Sequence, residues 1–153
     1  MYQLTGEYEC SIDPKGRLRI PSALLRQFGG TPALSLVVNR GFEKHLMLYP
    51  REVWNRKVAE VNQLNIYNTN ERNFMRYFYR GASELEIDNV DRVLIPKSLM
   101  DYAGIEKDVI LFAYHEQIEL WSKEAYNQIT NVEPDDFSAL AESVFGNRRN
   151  ERM

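Results

Sequence analysis

Alternation of polar and apolar residues marks two short strands near the start of the chain, at residues 7–12 and 17–20. The four residues between them, 13–16, carry Asp first, Pro second and Gly fourth, which is the preference of a type I turn. Gly16 is also free to take a positive φ there. The segment therefore predicts a β-hairpin.

The second of these strands has two chemically different faces. Leu18 and Ile20 fall on one side and Arg17 and Arg19 on the other, because successive strand residues point in opposite directions. We therefore expect both arginines to point away from the core.

Helix signals follow the hairpin. A short helix is expected from Pro21 to the glycines at 29–30, since Pro favours the first turn of a helix and Gly the position after the last. Two strands near 34–38 and 46–49 then lead to a longer helix that Pro50 opens.

A further helix, capped by Asn68 or Thr69, has an aromatic face and a basic face. We expect its aromatic residues to pack against the core and its arginines to be solvated or paired with a partner, because apolar stripes at helical spacing usually pack. A second nucleic-acid surface is the alternative. The aromatic residues are Phe74, Tyr77 and Phe78, and the basic ones are Arg72, Arg76 and Arg80.

One motif occurs twice in register. The pattern Asp-x-x-x-Arg-x-x-Ile-Pro-x-x-Leu begins at position 13 and again at position 88, an offset of 75 residues. The predicted elements repeat as well, with a short helix at 96–102, strands near 109–114 and 118–121, and a helix from Ser122. The chain therefore contains two copies of one structural unit.

The repeat divides the chain into four parts. We expect a first repeat at 1–64, a connecting helix at 65–80 and a second repeat at 81–133. Residues 134–153 are expected to form a short C-terminal helix and a polar tail that frays.

Composition narrows the class of protein. With 153 residues, 44% hydrophobic and 27% charged, the chain lies in the globular range. No apolar run approaches the roughly 18 residues of a spanning helix, and a cytoplasmic location is expected. One cysteine and two histidines offer no zinc-site spacing, so neither metal nor cofactor is expected.

The net charge of -3 conceals an asymmetry. Residues 1–80 carry 12 Lys and Arg against 7 Asp and Glu, whereas residues 81–153 carry 7 against 15. Charge alone favours the simpler interpretation that the two parts expose solvated faces of unequal charge, since net charge says little about specific contacts. It also allows an anionic partner for the first part and attraction between the two parts of different subunits.

Basic residues of the first motif could neutralise DNA phosphates. Lys15 suits a phosphate contact, while Arg17 and Arg19 can pair bidentately with a phosphate or with guanine. Asp13 is expected to be structural, because a carboxylate beside phosphates is unfavourable and Asp favours the first turn position. An ion pair between Asp13 and Arg17 is the alternative role for that arginine.

The second motif keeps less of this charge. Val90, Asp91 and Leu94 stand where the first copy has Lys, Gly and Arg, and only Arg92 persists. We therefore expect the first repeat to supply most of the DNA contact, with Arg92 either secondary or structural.

The duplicated motif lies within a wider set of residues that spans nearly the whole chain. That set is Gly6-Glu7-Tyr8, residues 13–18, Ile20-Pro21, Leu48-Tyr49-Pro50, Asp88, Arg92, Ile95-Pro96, Ala103-Gly104 and Leu120-Trp121. It resembles the MraZ family of bacterial regulators, which are encoded beside division and cell-wall genes. A duplicated motif is a more specific signature than a single short match.

The resemblance implies fold and function together. The fold is α+β, a tandem pseudo-symmetric AbrB/MraZ-like swapped-hairpin β-barrel with flanking helices. The activity that the resemblance implies is sequence-specific binding of direct repeats in double-stranded DNA at the promoter of the protein's own operon. The resemblance further implies repression, a homo-oligomeric ring and a nucleoid-associated location.

Site residues follow from the motif and the resemblance. Lys15, Arg17 and Arg19 are the expected DNA-binding residues, joined by Arg92. The turn residues expected to be structural are Asp13, Gly16 and Asp88.

Two other kinds of protein compete with this interpretation. A ring-forming scaffold would bind a protein partner through its acidic part, and an AbrB-like antitoxin would neutralise a toxin through its C-terminal segment. An antitoxin typically has one barrel copy and a disordered tail, whereas residues 81–133 form a full second copy. An enzyme is not expected, because the chain has no nucleotide-binding loop, no metal-ligand cluster and no Cys-His pairing in a motif.

Overall fold

Strands and helices alternate in the same order twice along the chain. The computed structural model describes residues 2–29 and 34–152, with side chains through Arg148. Gly30, predicted to help end the first helix, lies outside the described residues. The elements are β1 (Leu4–Ser11), β2 (Arg17–Arg19), α1 (Ser22–Gln27), β3 (Leu36–Arg40), β4 (Leu46–Pro50), α2 (Arg51–Val61), α3 (Thr69–Tyr79), β5 (Ser83–Leu85), β6 (Arg92–Leu94), α4 (Lys97–Ala103), β7 (Asp108–His115), β8 (Gln117–Ser122), α5 (Lys123–Thr130) and α6 (Pro134–Arg152).

In the described part of the chain, the strands form two antiparallel sheets, and each sheet contains strands from both repeats. Six strands lie in the order β1-β7-β8-β4-β3-β5, and the remaining two, β2 and β6, pair with each other. The first repeat supplies β1 to β4 and the second supplies β5 to β8. Neither repeat could therefore complete its sheet alone.

The predicted hairpin between β1 and β2 is wrong as a strand pairing, although its turn is present. The Gly16 N–H donates to the Asp13 carbonyl at 2.9 Å. Beyond the turn a single bridge joins Ile12 to Leu18, while β1 pairs along its length with β7 and β2 pairs with β6. The longer ladder between β1 and β7 and the buried contact between β2 and β6 replace the predicted pairing of β1 with β2. This exchange of partners is the swapped-hairpin fold.

The main core lies on the inner face of the six-stranded sheet. Leu18 and Val93, which are directly opposite each other in the β2–β6 ladder, are both buried there. Leu24 from α1 and Leu99 from α4 are fully buried in the same cluster. These are the motif positions that recur at the fixed offset, so the repeat encodes the core as well as the turn.

A second, smaller cluster lies on the other face of this sheet. Val37, Met47 and Tyr49 pack there with α2, whose Trp54 stacks on Phe78 with 4.9 Å between ring centroids.

The expectation that the aromatic face of α3 is core is therefore wrong except at Phe78. No side chain of α3 is buried in this described segment, and Phe74 and Tyr77 are 39% and 63% exposed. Phe78 alone of the three joins the smaller cluster, because α3 meets the sheet near its C-terminal end.

Residues 124–153 form a separate compact unit. Its last helix, α6, runs for 19 residues to Arg152, so the predicted short helix and frayed tail are wrong. Asp135 and Asp136 in its first turn complement the positive end of the helix dipole, which favours a helix that begins here. Within residues 2–29 and 34–152, no helix is both long and apolar enough to cross a membrane.

Gly16 joins the two repeats through a close backbone contact. We therefore expect a methyl group added at this position to destabilise the fold more than one added at a glycine that faces open space. A Cβ at Gly16, where φ is 89°, would lie 3.1 Å from the Ile95 carbonyl oxygen. At Gly104, where φ is 65°, it would meet open space. We expect Gly16→Ala to lower the free energy of unfolding by about 2–3 kcal/mol and Gly104→Ala by about 1 kcal/mol.

Denaturant unfolding of both variants measures this difference. An equal loss for the two substitutions would show that the close approach to Ile95 contributes nothing beyond backbone strain.

Candidate nucleic-acid interface

The turn after β1 is organised by one carboxylate. Asp13 Oδ1 accepts hydrogen bonds from the backbone N–H groups of Lys15 and Arg17, both at 2.9 Å. Asp13 Oδ2 accepts from Arg17 Nε at 2.7 Å. The aspartate therefore shapes the turn and sets the direction of the arginine side chain at the same time.

The second repeat reproduces this arrangement. Asp88 Oδ1 accepts from the backbone N–H groups of Val90 and Arg92 at 3.0 and 2.9 Å, and Asp88 Oδ2 accepts from Arg92 Nε at 2.9 Å. Asp91 takes the left-handed conformation that Gly16 takes in the first repeat, with φ of 64° and 89°. Aspartate tolerates this conformation better than most residues, which explains how the turn survives without glycine.

Both carboxylates are stabilised in their charged form. The backbone N–H of Arg17 is the largest influence lowering the pKa of Asp13, and that of Arg92 has the same effect on the pKa of Asp88. The guanidinium groups lower both pKa values further. The two aspartates are therefore ionised near neutral pH and hold their arginines in place.

The β2–β6 ribbon brings arginines of both repeats onto one outer face. In its ladder Arg17 lies opposite Leu94, and Arg19 lies opposite Arg92. The central pair turns inward, so these four side chains share the outward face. Directly opposite positions have Cβ atoms about 5 Å apart, which places Arg19 and Arg92 side by side.

This face carries uncompensated positive charge. Arg17 and Arg92 each pair with an aspartate, but Arg19 makes no ion pair within the described part of the chain. Like charges directly across a ladder are destabilising, and an anion above the face would relieve the repulsion. The geometry therefore suits a polyanion.

The predicted site residues lie either in the two turns or on the β2–β6 ribbon. Lys15 is exposed in the turn before β2, and the three arginines lie on the ribbon. Asp13 and Asp88 hold the turns, as described above. Sequence patterns did not predict that Arg92 would lie opposite Arg19, because that placement depends on pairing between one strand of each repeat.

Sequence reasoning also missed Leu94 as part of the site. Its side chain is 58% exposed on the arginine face, at the position that corresponds to Arg19 in the first repeat. The fixed offset was the signal that could have found it. An exposed leucine there can contact the methyl group of thymine or the apolar edge of a base.

Fold and site together define a duplicated swapped-hairpin protein with a basic ribbon. The family model described as "MraZ protein, putative antitoxin-like" matches residues 3–77 and 78–148. The chain belongs to the MraZ family.

Several relatives match over nearly their full length. A protein named transcriptional regulator MraZ in Christiangramia forsetii is 41% identical, covering 96% of each chain. Proteins of the same name in Flavobacterium psychrophilum and Cytophaga hutchinsonii are 36% and 33% identical, covering 96% of this chain and 94% and 97% of theirs.

Among solved structures, PHS018 from Pyrococcus horikoshii is similar at 18% identity with a TM-score of 0.33. The match covers 78% of this chain and 89% of that one. A similarity of this size carries no argument about fold or function.

The lowered pKa values of the turn aspartates predict a specific acid sensitivity. Because the folded pKa lies below the ordinary 3.8, the carboxylates stabilise the fold fully above that pH, and the contribution is lost as the pH falls through the folded pKa. We expect the double variant Asp13→Asn/Asp88→Asn to have a lower thermal unfolding midpoint than the wild type at neutral pH. Between about pH 5 and about pH 2.5, its midpoint should fall less steeply than that of the wild type.

Thermal unfolding across that pH range provides the measurement. The control is Asp101→Asn, at an exposed position of α4. A double variant whose midpoint falls on acidification as steeply as that of the wild type would contradict the assignment.

Proposed function

We propose that this chain is a DNA-binding transcriptional regulator that contacts duplex DNA through the outer face of the β2–β6 ribbon. The observation that carries the proposal is the ladder that sets Arg19 opposite Arg92, with Arg17 on the same face. The names of the relatives support a regulatory role.

A two-stranded ribbon has dimensions suited to DNA. The major groove of B-DNA admits a two-stranded β-ribbon, and each base pair presents a distinct pattern of donors and acceptors there. With the core-facing pair Leu18 and Val93 anchoring one side, the opposite side of the ribbon is available to the groove.

The aspartates prepare two of the arginines for recognition. Asp13 accepts a hydrogen bond from Arg17 Nε, and Asp88 accepts one from Arg92 Nε. The two terminal amino groups of each guanidinium can therefore point outward. A guanidinium held in one orientation loses less entropy when it pairs bidentately with guanine O6 and N7 or with a phosphate. Arg19, without such a partner, is the more adaptable contact.

The two repeats contribute unequally in this proposal. Lys15 extends the basic surface of the first repeat toward a phosphate, whereas the second repeat has Val90 there and adds the charge of Asp91. The first repeat therefore makes most of the DNA contact, and Arg92 adds to it from across the ladder.

A single ribbon with so few basic residues would bind DNA weakly, so tight binding requires several copies of the chain to act together. We infer a ring of copies that engages direct repeats in the promoter of the protein's own operon, which would repress transcription. Once one ribbon is bound, each further contact is effectively intramolecular and raises the overall affinity.

The second repeat argues against a single-copy antitoxin. Its strands β7 and β8 are interior strands of the six-stranded sheet and β6 completes the ribbon, so residues of the second repeat are part of the binding fold itself.

Charge reversal on the ribbon tests the proposal. We expect Arg19→Glu and Arg17→Glu each to weaken binding to the promoter duplex at least about 10-fold near 0.1 M salt, because each substitution removes a contact worth about 1–3 kcal/mol and adds repulsion. Arg92→Glu should weaken it less. Fluorescence anisotropy against a labelled duplex at two salt concentrations gives the affinities and the salt slope, which should decrease for each variant.

Arg80→Glu is the matched control. It changes the charge equally at an exposed residue that ends α3. Loss of binding in the control equal to that in Arg19→Glu would move the DNA surface away from the ribbon, and unchanged binding in all three ribbon variants would refute the proposal.

A further inference from the structure

We propose that Leu94 sets base specificity and the direction of binding, because it places an apolar contact where the approximate two-fold symmetry of the ribbon would place an arginine. The group that it recognises is the methyl group of thymine in the major groove. This inference rests on the proposed function, since it assigns a base-reading role within the same ribbon.

The β2–β6 ribbon has approximate two-fold symmetry about its central pair. The symmetry exchanges positions that are 75 residues apart, so Leu18 corresponds to Val93 and Arg17 to Arg92. At the two ends of the ladder, equivalent backbone hydrogen bonds of 2.8 and 2.9 Å link each repeat to the turn of the other. The backbone therefore presents two equivalent halves to a ligand on the outer face.

One of the outward positions breaks this symmetry. Arg19 in the first repeat corresponds to Leu94 in the second, whose side chain is 58% exposed. One end of the ribbon therefore carries Arg19 opposite Arg92, and the other carries Arg17 opposite Leu94. A single exposed leucine is ordinary on a protein surface. This leucine is informative because it lies on a charged face, at the position where the other repeat has arginine.

The leucine lies beside the basic residues of the first repeat. Arg17 is directly opposite it, and such pairs have Cβ atoms about 5 Å apart. A Cβ built at Gly16 would lie 3.6 Å from Leu94 Cδ1, which is van der Waals contact, so the leucine packs against the turn that also carries Lys15. A duplex that contacts Arg17 is therefore within reach of Leu94.

The chemistry of leucine leaves one kind of base contact. Its side chain has neither a charge nor a hydrogen-bonding group, so it cannot pair with a phosphate or with the donors and acceptors of a base edge. The apolar group that base pairs present in the major groove is the C5 methyl of thymine. At the equivalent position Arg19 suits guanine O6 and N7 or a phosphate instead. Thymine is therefore preferred beside Leu94.

Unequal ends give the bound ribbon a direction on DNA. A ribbon with arginine at all the outward positions could bind one site in either of two orientations related by its two-fold axis. With thymine preferred at one end alone, one orientation is favoured, and the preferred sequence is not self-complementary. Direct repeats, which all have the same orientation, fit such a directional contact.

Selection from a pool of randomised duplexes tests the assignment with the full-length chain. The wild type should enrich a sequence that is not self-complementary, and Leu94→Arg should replace one thymine of it by guanine. Leu140→Arg is the matched control, because it adds the same charge at a leucine of α6 that is 57% exposed, and it should keep the wild-type sequence. A self-complementary wild-type sequence, or an unchanged sequence for Leu94→Arg, would overturn the proposal.

Removal of the methyl group alone gives a second, independent measurement. Deoxyuridine in place of that thymine keeps every hydrogen-bonding group of the base and lacks only the methyl. We expect this change to weaken binding of the wild type about 4-fold, the effect of one buried methyl group. The change should leave the affinity of Leu94→Ala nearly the same, because the alanine side chain ends at Cβ, whereas Leu94→Met should stay sensitive to it.

Fluorescence anisotropy on the paired duplexes gives the affinity ratios. Equal ratios for the wild type and Leu94→Ala would contradict the contact. A wild type that is insensitive to deoxyuridine at every thymine of its enriched sequence would contradict it too, whether or not the variants fold.

These results separate the role of Leu94 from the proposed function. A wild type that binds no duplex and enriches no sequence would refute the regulator, and this inference with it. If the wild type enriches a sequence that Arg19→Glu no longer binds, while Leu94→Arg enriches that same sequence, the ribbon binds DNA and only the role of Leu94 is refuted.

Discussion

The fold depends on the pairing of β2 with β6. Leu18 and Val93 close the main core from that ribbon, and the ladder is extended at both ends, where Ile20 N–H donates to the Asp91 carbonyl and Ile95 N–H to the Gly16 carbonyl. These bonds link the two repeats symmetrically. A two-stranded ribbon with three residues in each strand is too short to be stable in isolation. The core beneath the ribbon therefore stabilises it, and the ribbon in turn joins the two repeats.

The same pairing gives the ribbon its surface. Because strand side chains alternate, burying the central pair obliges the flanking arginines of both repeats to face outward. The aspartate turns then fix the direction of two of those arginines through charged, well-bonded carboxylates. A motif that builds a turn and a core in each repeat thus also builds a shared basic face, and assembly of several copies would multiply it.

Much of the fold and of the ribbon surface could be predicted from the sequence, and the predictions that were wrong have physical explanations. The Asp13 turn, the outward arginines and most elements follow from local chemistry and periodicity. The exchange of strand partners does not, since local residues cannot reveal whether β2 pairs with β1 or with β6. The exposure of Tyr77 also escaped prediction, because an aromatic stripe indicates burial without saying whether the same chain or another one covers it.

The most direct measurement is arginine footprinting by mass spectrometry, in which an arginine-selective dicarbonyl reagent modifies the wild-type protein with and without its promoter duplex. Binding through the ribbon predicts that DNA protects Arg17, Arg19 and Arg92 and leaves the arginines of α3 reactive. Protection of the α3 arginines with an unchanged ribbon would contradict it.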